Sequence, residues 1–255
     1  MKVNTNSNVY IIIYSVVMVV IVAVLLALAA EGLKSRQNEN ILNEKKTQIV
    51  KALGETASYE DVVAEAALLD AEGNVVESDT QKVFDALQSV KDTRAAGKFP
   101  IFKAKNGSVV VPLYGAGLWG PIWGYVALDS DMNTVKGIVL DHQGETPGLG
   151  AEITTPKHQA MYVGKSVFEG EELVGITLKK GGADANNPHE VDAITGGTKT
   201  SDGVTAMIKD CLASYKPYFA ANKAAVAPAV EAEQTPAEVV AEEKSNDKNT
   251  ENNGK

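Results

Sequence analysis

Residues Val9 to Ala30, VYIIIYSVVMVVIVAVLLALAA, run for 22 positions without a charged side chain. As one helix this stretch is ~33 Å long at ~1.5 Å per residue, enough to cross a hydrocarbon core of ~30 Å. A cleaved signal peptide is the competing reading, because Ala27-Leu28-Ala29 resembles a processing site. The run is longer than the ~7–15 apolar residues of such peptides, which favours a retained anchor. Lys34 and Arg36 follow the run and only Lys2 precedes it, a bias that by itself places the C-terminal side in the cytoplasm.

The rest of the chain reads as one globular domain tethered to that anchor. The expected organisation is an N-terminal lead at 1–8, the membrane helix at 9–30, a domain at 31–221 and an acidic tail at 222–255. From about Asn222 the composition turns to Ala, Pro, Glu, Lys and Asn, too poor in large apolar side chains to offset ordering entropy, so the tail is expected to be disordered. A formal net charge of -9 and the lack of a basic stripe exclude a nucleic-acid binder. The single cysteine, Cys211, excludes an internal disulfide or a cysteine-held cluster. Any redox chemistry therefore needs a borrowed cofactor.

Hydrophobic patterning predicts an α+β fold: an antiparallel sheet with flanking helices, preceded by one N-terminal transmembrane helix. Asn38 to Leu53 carries a loose helical pattern stopped by Gly54, and Val62 to Val76 reads equally as a hairpin or as helix, turn and strand. Ser108–Tyr114, Pro121–Asp129 and Val135–Asp141 are β-branched or aromatic runs between turn signals, the pattern of a meander. Leu173–Lys180 reads as a further strand, and Thr155–Val163 as a helix opened by a Thr-Pro pair. Val204, Met207, Ile208, Cys211, Leu212 and Tyr215 form one helical face, with Thr200 or Ser201 as the expected N-cap. Cys211 is thus a small core residue.

Two stretches carry chemistry. In HQGETPGLGAE (His142 to Glu152), Gly144, Pro147, Gly148 and Gly150 predict a tightly curved loop with Leu149 protruding and Glu145 and Thr146 at its tip. Backbone N–H groups of such a loop can face a ligand, and its leucine can cover a flat ring. His142 and Glu145 fall short of the three or four donors a metal site needs, and no metal site is expected. Asp141 and Glu145 leave a paired-carboxylate hydrolase open on sequence grounds alone. The second stretch is DAITGGTKT (Asp192 to Thr200). Thr198 lies beside a predicted helix start, where unpaired N–H groups and the helix dipole favour an anion such as phosphate. Gly196 and Gly197 let that anion approach the backbone, among hydroxyls at Thr195, Thr198, Thr200 and Ser201. An ordinary capped helix entrance explains the same residues equally well.

DAITGGT (Asp192 to Thr198) resembles the D-x-x-[ST]-G-A-T flavinylation motif of the FMN-binding domain family, with Gly197 where alanine is usual, and HQGETPGLG resembles that family's other hallmark. The resemblance spans roughly residues 1–220. It implies FMN joined through a phosphoester to Thr198 by a flavin transferase that uses FAD. It further implies cofactor contacts from Thr195, Gly196, Gly197, Glu145, Thr146, Gly148, Leu149, Gly150 and Trp119, the last in the GLWG segment (Gly117 to Gly120). No catalytic residue is expected on this chain. The anchor, the GLWG segment and the motif order resemble electron-carrying subunits of ion-translocating complexes that pass electrons from NADH to ubiquinone or menaquinone coupled to Na+ export. Related complexes acting between ferredoxin and NAD are the alternative, as is a non-catalytic anchored scaffold. The implied partners are other subunits of the complex, the flavin transferase and membrane lipid. The implied location is the bacterial inner membrane with the domain on the periplasmic side, against the charge bias noted above.

Overall fold

The computed structural model describes residues 7–230. The charge-free run and the helical pattern that follows it belong to one continuous helix, α1 (Asn8–Ala52). No proline interrupts it, and a single Gly32 costs only about 1 kcal/mol against alanine. Ser7 caps the start by accepting the Tyr10 N–H at 3.2 Å. Gly54, at φ +74°, closes the end as the sequence predicts, with Gly54 N–H donating to Lys51 O at 3.0 Å and Glu55 N–H to Val50 O at 3.2 Å. The large apolar side chains from Ile11 to Leu28 are exposed, whereas Ile49, Val50, Ala52 and Leu53 enter the core.

The ambiguous stretch after α1 resolves into helix α2 (Tyr59–Val62) and a hairpin of β1 (Val63–Leu69) with β2 (Val75–Glu77). The hairpin turns at Asp70, whose Oδ1 accepts the N–H groups of Glu72 and Asn74. Next come α3 (Thr80–Ala86), a 3-10 turn at Leu87–Ser89, α4 (Val90–Ala95) and β3 (Phe99–Ala104), none of which the hydrophobic pattern identifies. The expected meander follows as β4 (Val109–Ala116), β5 (Pro121–Leu128) and β6 (Val135–His142). All six strands pair antiparallel in the order β2-β1-β3-β4-β5-β6.

Helix α5 (Pro156–Ala160) starts at the Thr-Pro pair, with Thr155 Oγ1 accepting the His158 N–H. The single strand expected at 173–180 is divided. β8 (Glu172–Leu173) pairs with β7 (Phe168–Glu169), while β9 (Thr177–Lys179) pairs in parallel with β10 (Glu190–Asp192). Gly175, at φ +73°, bends the chain between the two pieces. Two helices complete the fold, α6 (Thr198–Ala213) and α7 (Lys216–Val230). The compositional shift at Asn222 falls inside α7, so residues 222–230 are helical where disorder was expected; four alanines there favour a helix, against Pro228. The remaining tail, 231–255, lies outside the described residues.

Alternation along the strands buries both faces of the sheet. Val109, Val111, Leu113, Ile122 and Val126 face α6, and the α6 stripe of Val204, Met207, Ile208, Cys211 and Leu212 is buried against them as its spacing predicts. Val110, Tyr125 and Val139 face the other way, onto the end of α1 and onto Phe84 of α3. Two glycines permit the closest approaches. A Cβ on Gly137 of β6 would collide with the Ala52 carbonyl that ends α1, and one on Gly203 of α6 would collide with the Ala116 carbonyl that ends β4. The second contact brings the start of α6 to the β4-β5 turn.

Candidate functional site

Three segments meet at that end of the sheet: the β4-β5 turn (Gly117 to Gly120), the loop after β6 (His142 to Gly150) and the entrance to α6. Glu145 joins them. It is only 5% exposed, and both carboxylate oxygens are engaged. Oε1 accepts the Trp119 N–H at 2.9 Å, Oε2 accepts the Thr200 hydroxyl, and the Glu145 N–H donates to His142 Nδ1 at 3.1 Å. Burial alone would push this carboxyl up; the Thr200 hydroxyl and the N–H groups of Trp119 and Leu118 outweigh it and hold the group below its ordinary value. Cβ atoms on Gly117 or Gly150 would collide with that carboxylate, so both glycines are needed for the carboxylate to sit there.

Glu145 is therefore not at the loop tip, where the sequence suggested it with Thr146. It turns inward and organises the site, because a carboxylate is stable in the interior only with such donors around it. Thr146, Gly148 and Leu149 remain exposed, and the Thr146 carbonyl accepts the N–H groups of Leu149 and Ala151 to tighten the loop. His142 meets Glu145 through its ring Nδ1, which accepts the Glu145 backbone N–H, and not by pairing its ring with the carboxylate. Asp141 accepts its neighbour's N–H and lines a different cleft, so Asp141 and Glu145 do not face a common substrate position.

The entrance to α6 also differs from expectation. The helix begins at Thr198 with Gly197 in the cap position and no side-chain cap, three residues ahead of the Ser201 start anticipated from the sequence. Thr200 and Ser201 are buried instead: Thr200 reaches Glu145, and Ser201 Oγ accepts the Ile194 N–H at 3.1 Å. Gly197 has no side chain to accept them, so the first-turn N–H groups of α6 have no side-chain cap. A turn closed by Gly197 N–H to Ile194 O, 2.9 Å, precedes the helix, and Gly196 occupies it at φ +75°.

The paired glycines thus have separate tasks. Gly196 supplies the positive φ and lies under Leu149, whose Cδ2 would be 2.6 Å from an added Cβ. Gly197 lies near the loop backbone, where a Cβ would be 2.9 Å from Ile194 Cγ2 and 3.3 Å from the Gly150 nitrogen. Thr195, Thr198 and Lys199 border them at the helix entrance. Trp119 and Leu118 are 68% and 53% exposed, and Leu149 is 41% exposed. A hydroxyl in the first helical turn, uncapped N–H groups and these three apolar side chains suit a phosphate ester joined to a flat ring system. Every residue expected at the site lies in the three converging segments. Sequence reasoning missed Leu118, Gly117 and Thr200 as a partner of Glu145; the Gly-x-x-Gly spacing of the turn was the one signal for Gly117.

The FMN-binding domain family matches this chain over residues 117–213, a range that contains all three segments. NqrC of Vibrio anguillarum, a component of its Na(+)-translocating NADH-quinone reductase, is 35% identical over 206 residues, covering 71% of this chain and 81% of that protein. The corresponding protein of Yersinia pestis is 32% identical over 219 residues, covering 74% and 82%. Among solved structures, the NqrC protein from Parabacteroides distasonis superposes with a TM-score of 0.66 at 36% identity, covering 73% of this chain and 96% of that one. NqrC of Shewanella oneidensis gives a TM-score of 0.61 at 29% identity, covering 71% and 99%.

Proposed function

The chain belongs to the FMN-binding domain family and, within it, to the NqrC components of the Na(+)-translocating NADH-quinone reductases, and from that premise we propose that it carries FMN covalently on Thr198 as an electron relay. One observation carries the reading: of the hydroxyls at the α6 entrance, Thr200 and Ser201 are buried and hydrogen-bonded inside and Thr195 is exposed but lies ahead of the helix, while Thr198 is exposed in the uncapped first turn beside Gly197. In the attachment, the Thr198 oxygen loses its proton and bonds to the FMN phosphorus as the pyrophosphate bond of FAD breaks and AMP leaves. A flavin transferase would bring the donor.

FMN supplies reversible electron acceptance and release once bound. The protein's own contribution is placement. Leu149, held over Gly196, and Trp119 and Leu118 on the β4-β5 turn offer apolar surfaces that would exclude water from the flavin ring. The first-turn N–H groups of α6 and Lys199 favour the negative phosphodiester. Glu145 fixes the distance between the turn, the loop and the helix, and so would keep the apolar side chains of the first two at a set distance from the phosphate-binding N–H groups of the third. Gly148, at φ +75°, and Thr146 shape the loop that presents Leu149.

We place residues 9–30 in the bacterial inner membrane and the domain from residue 31 to about 221 on its periplasmic side, working with other subunits of the complex in electron transfer from NADH to ubiquinone or menaquinone coupled to Na+ export. The apolar part of α1 is long enough to span a bilayer and no described part of the domain covers it. Co-expression with a flavin transferase followed by denaturing electrophoresis tests attachment. A fluorescent band is expected, and a Thr198→Ala chain of equal abundance should be dark.

A further inference from the structure

A groove of about 1050 Å³ separates the anchor helix from the sheet. Its floor includes Tyr114, Trp123 and Tyr125 on the sheet face turned away from α6. One wall is α1 from Ser35 to Gln48, and the other is the α3-α4 segment from Gln81 to Asp92. The groove exists because α1 seats only its last turns on the sheet: Ile49 is 0% exposed, and Ile41 two turns earlier is 49% exposed. Fourteen residues of wall, from 35 to 48, make it ~20 Å long at ~1.5 Å per residue.

Its direction is fixed by register. Ala52 lies against Gly137 of β6, and going back along α1 the groove is lined by Asp141 of β6, Trp123 of β5 and Tyr114 of β4. The groove therefore runs from the seat of α1 toward the apolar anchor, at the strand ends that carry the 117–120 turn and the 142–150 loop. Glu39, Glu44, Asp85, Asp92 and Asp141 line it against Lys45 and Lys91, five acids to two lysines. Among the described residues none of the five acids is ion-paired.

We infer that this groove is the docking site for a cationic amphipathic segment of a neighbouring protein in the complex, about three to four helical turns long. An aromatic floor with acidic walls matches a helix presenting an apolar stripe flanked by Lys or Arg. The acids disfavour anionic lipid headgroups. They also disfavour the chain's own 231–255 segment, which carries seven Asp or Glu against three Lys. The inference rests on the reading that the chain works within a multi-protein complex. Such a segment would lie behind the strands that end in the flavin site and would fix that site relative to its redox partners.

Site-specific photo-cross-linking in native membranes containing the whole complex tests the assignment. A benzophenone amino acid replaces Trp123 in one full-length variant and Gln88 in a second, and the captured peptide is identified by mass spectrometry. Both positions should capture the same Lys- or Arg-bearing segment of a neighbouring protein, and Asp85→Lys with Asp141→Lys should lower the yield at least fivefold. Capture of lipid alone, of residues 231–255, of a second copy or of a segment without basic residues overturns the assignment, as does no capture at either position. Flavin fluorescence on the same gel reports the cofactor separately. A fluorescent chain without the cross-link rejects the groove assignment alone, and a dark chain rejects the flavin reading.

Discussion

Thr200 donates its hydroxyl to the buried carboxylate of Glu145, 55 residues earlier in the chain, and so ties the first turn of α6 to the loop after β6. Because Glu145 also accepts the Trp119 N–H, this one side chain sets the spacing of all three segments at the site. Thr200→Val should cost about 1–3 kcal/mol by leaving a buried charge short of a donor. The same change should cost far less in a Glu145→Ala background. Denaturant titrations of the four chains of this cycle measure the coupling, and strictly additive effects would rule it out.

The same carboxylate predicts an acid limit. The folded chain holds Glu145 below the ordinary carboxylate value of ~4.3. Its contribution is thus complete above that value and is lost as pH falls through the lower folded value. Thr200→Val should consequently separate from the parent chain in thermal melts at neutral pH and converge with it in strong acid. A constant difference across the range would show that the charge is not involved.

His158 gives a second pH dependence in a higher window. Burial holds its pKa down at about 4 although Asp192 acts to raise it, and its Nε2 lies 3.0 Å from the Tyr162 hydroxyl. The unfolded chain binds a proton near pH 6.5 and the folded chain does not until about pH 4. Stability is therefore full above pH 6.5 and declines between 6.5 and 4, by on the order of 3 kcal/mol. Melts of a His158→Gln chain should lose that slope. An unchanged slope would assign it to other groups.

Gly196 and Gly197 should respond differently to alanine. At φ +75°, Gly196→Ala meets left-handed strain of roughly 1–2 kcal/mol, and its new Cβ displaces Leu149. Gly197 has an ordinary φ of -109°, so Gly197→Ala has mainly Ile194 to push aside and should keep flavin labelling. Ile194→Ala should cost less in the Gly197→Ala chain than in the parent, because it removes the Cγ2 that the new Cβ meets. Label yield on denaturing gels compares the variants; full labelling of Gly196→Ala with loss in Gly197→Ala would reverse the roles given to the two glycines.

Much of the fold is legible in the sequence, where side-chain periodicity and backbone demands coincide. The β4-β5-β6 meander and the α6 stripe follow from alternation and helical spacing, and the end of α1 from Gly54. Helices α3 and α4 leave no such trace because they are a turn or two long and, with the 3-10 turn between them, bury little beyond Val83, Phe84 and Leu87, too few for a period to show. The strand expected at 173–180 breaks at Gly175, where the chain passes close against Lys209 of α6. At the site, composition and motif mark loops that the fold brings together but not the direction of their side chains. Nothing local says that Glu145 turns inward, since its donors come from Trp119 and Thr200, distant in sequence. The true start of α6 is hidden for the same reason: Thr200 and Ser201 look like caps until tertiary structure gives their hydroxyls other partners.

The attachment of FMN to Thr198 is tested most directly by the intact mass of the natively expressed full-length chain, followed by fragmentation of the peptide spanning Asp192 to Lys209. We expect one FMN phosphoester, localised to Thr198 and absent from the Thr198→Ala chain. An unmodified native chain, or an adduct on Thr195, Thr200 or Ser201, would contradict it.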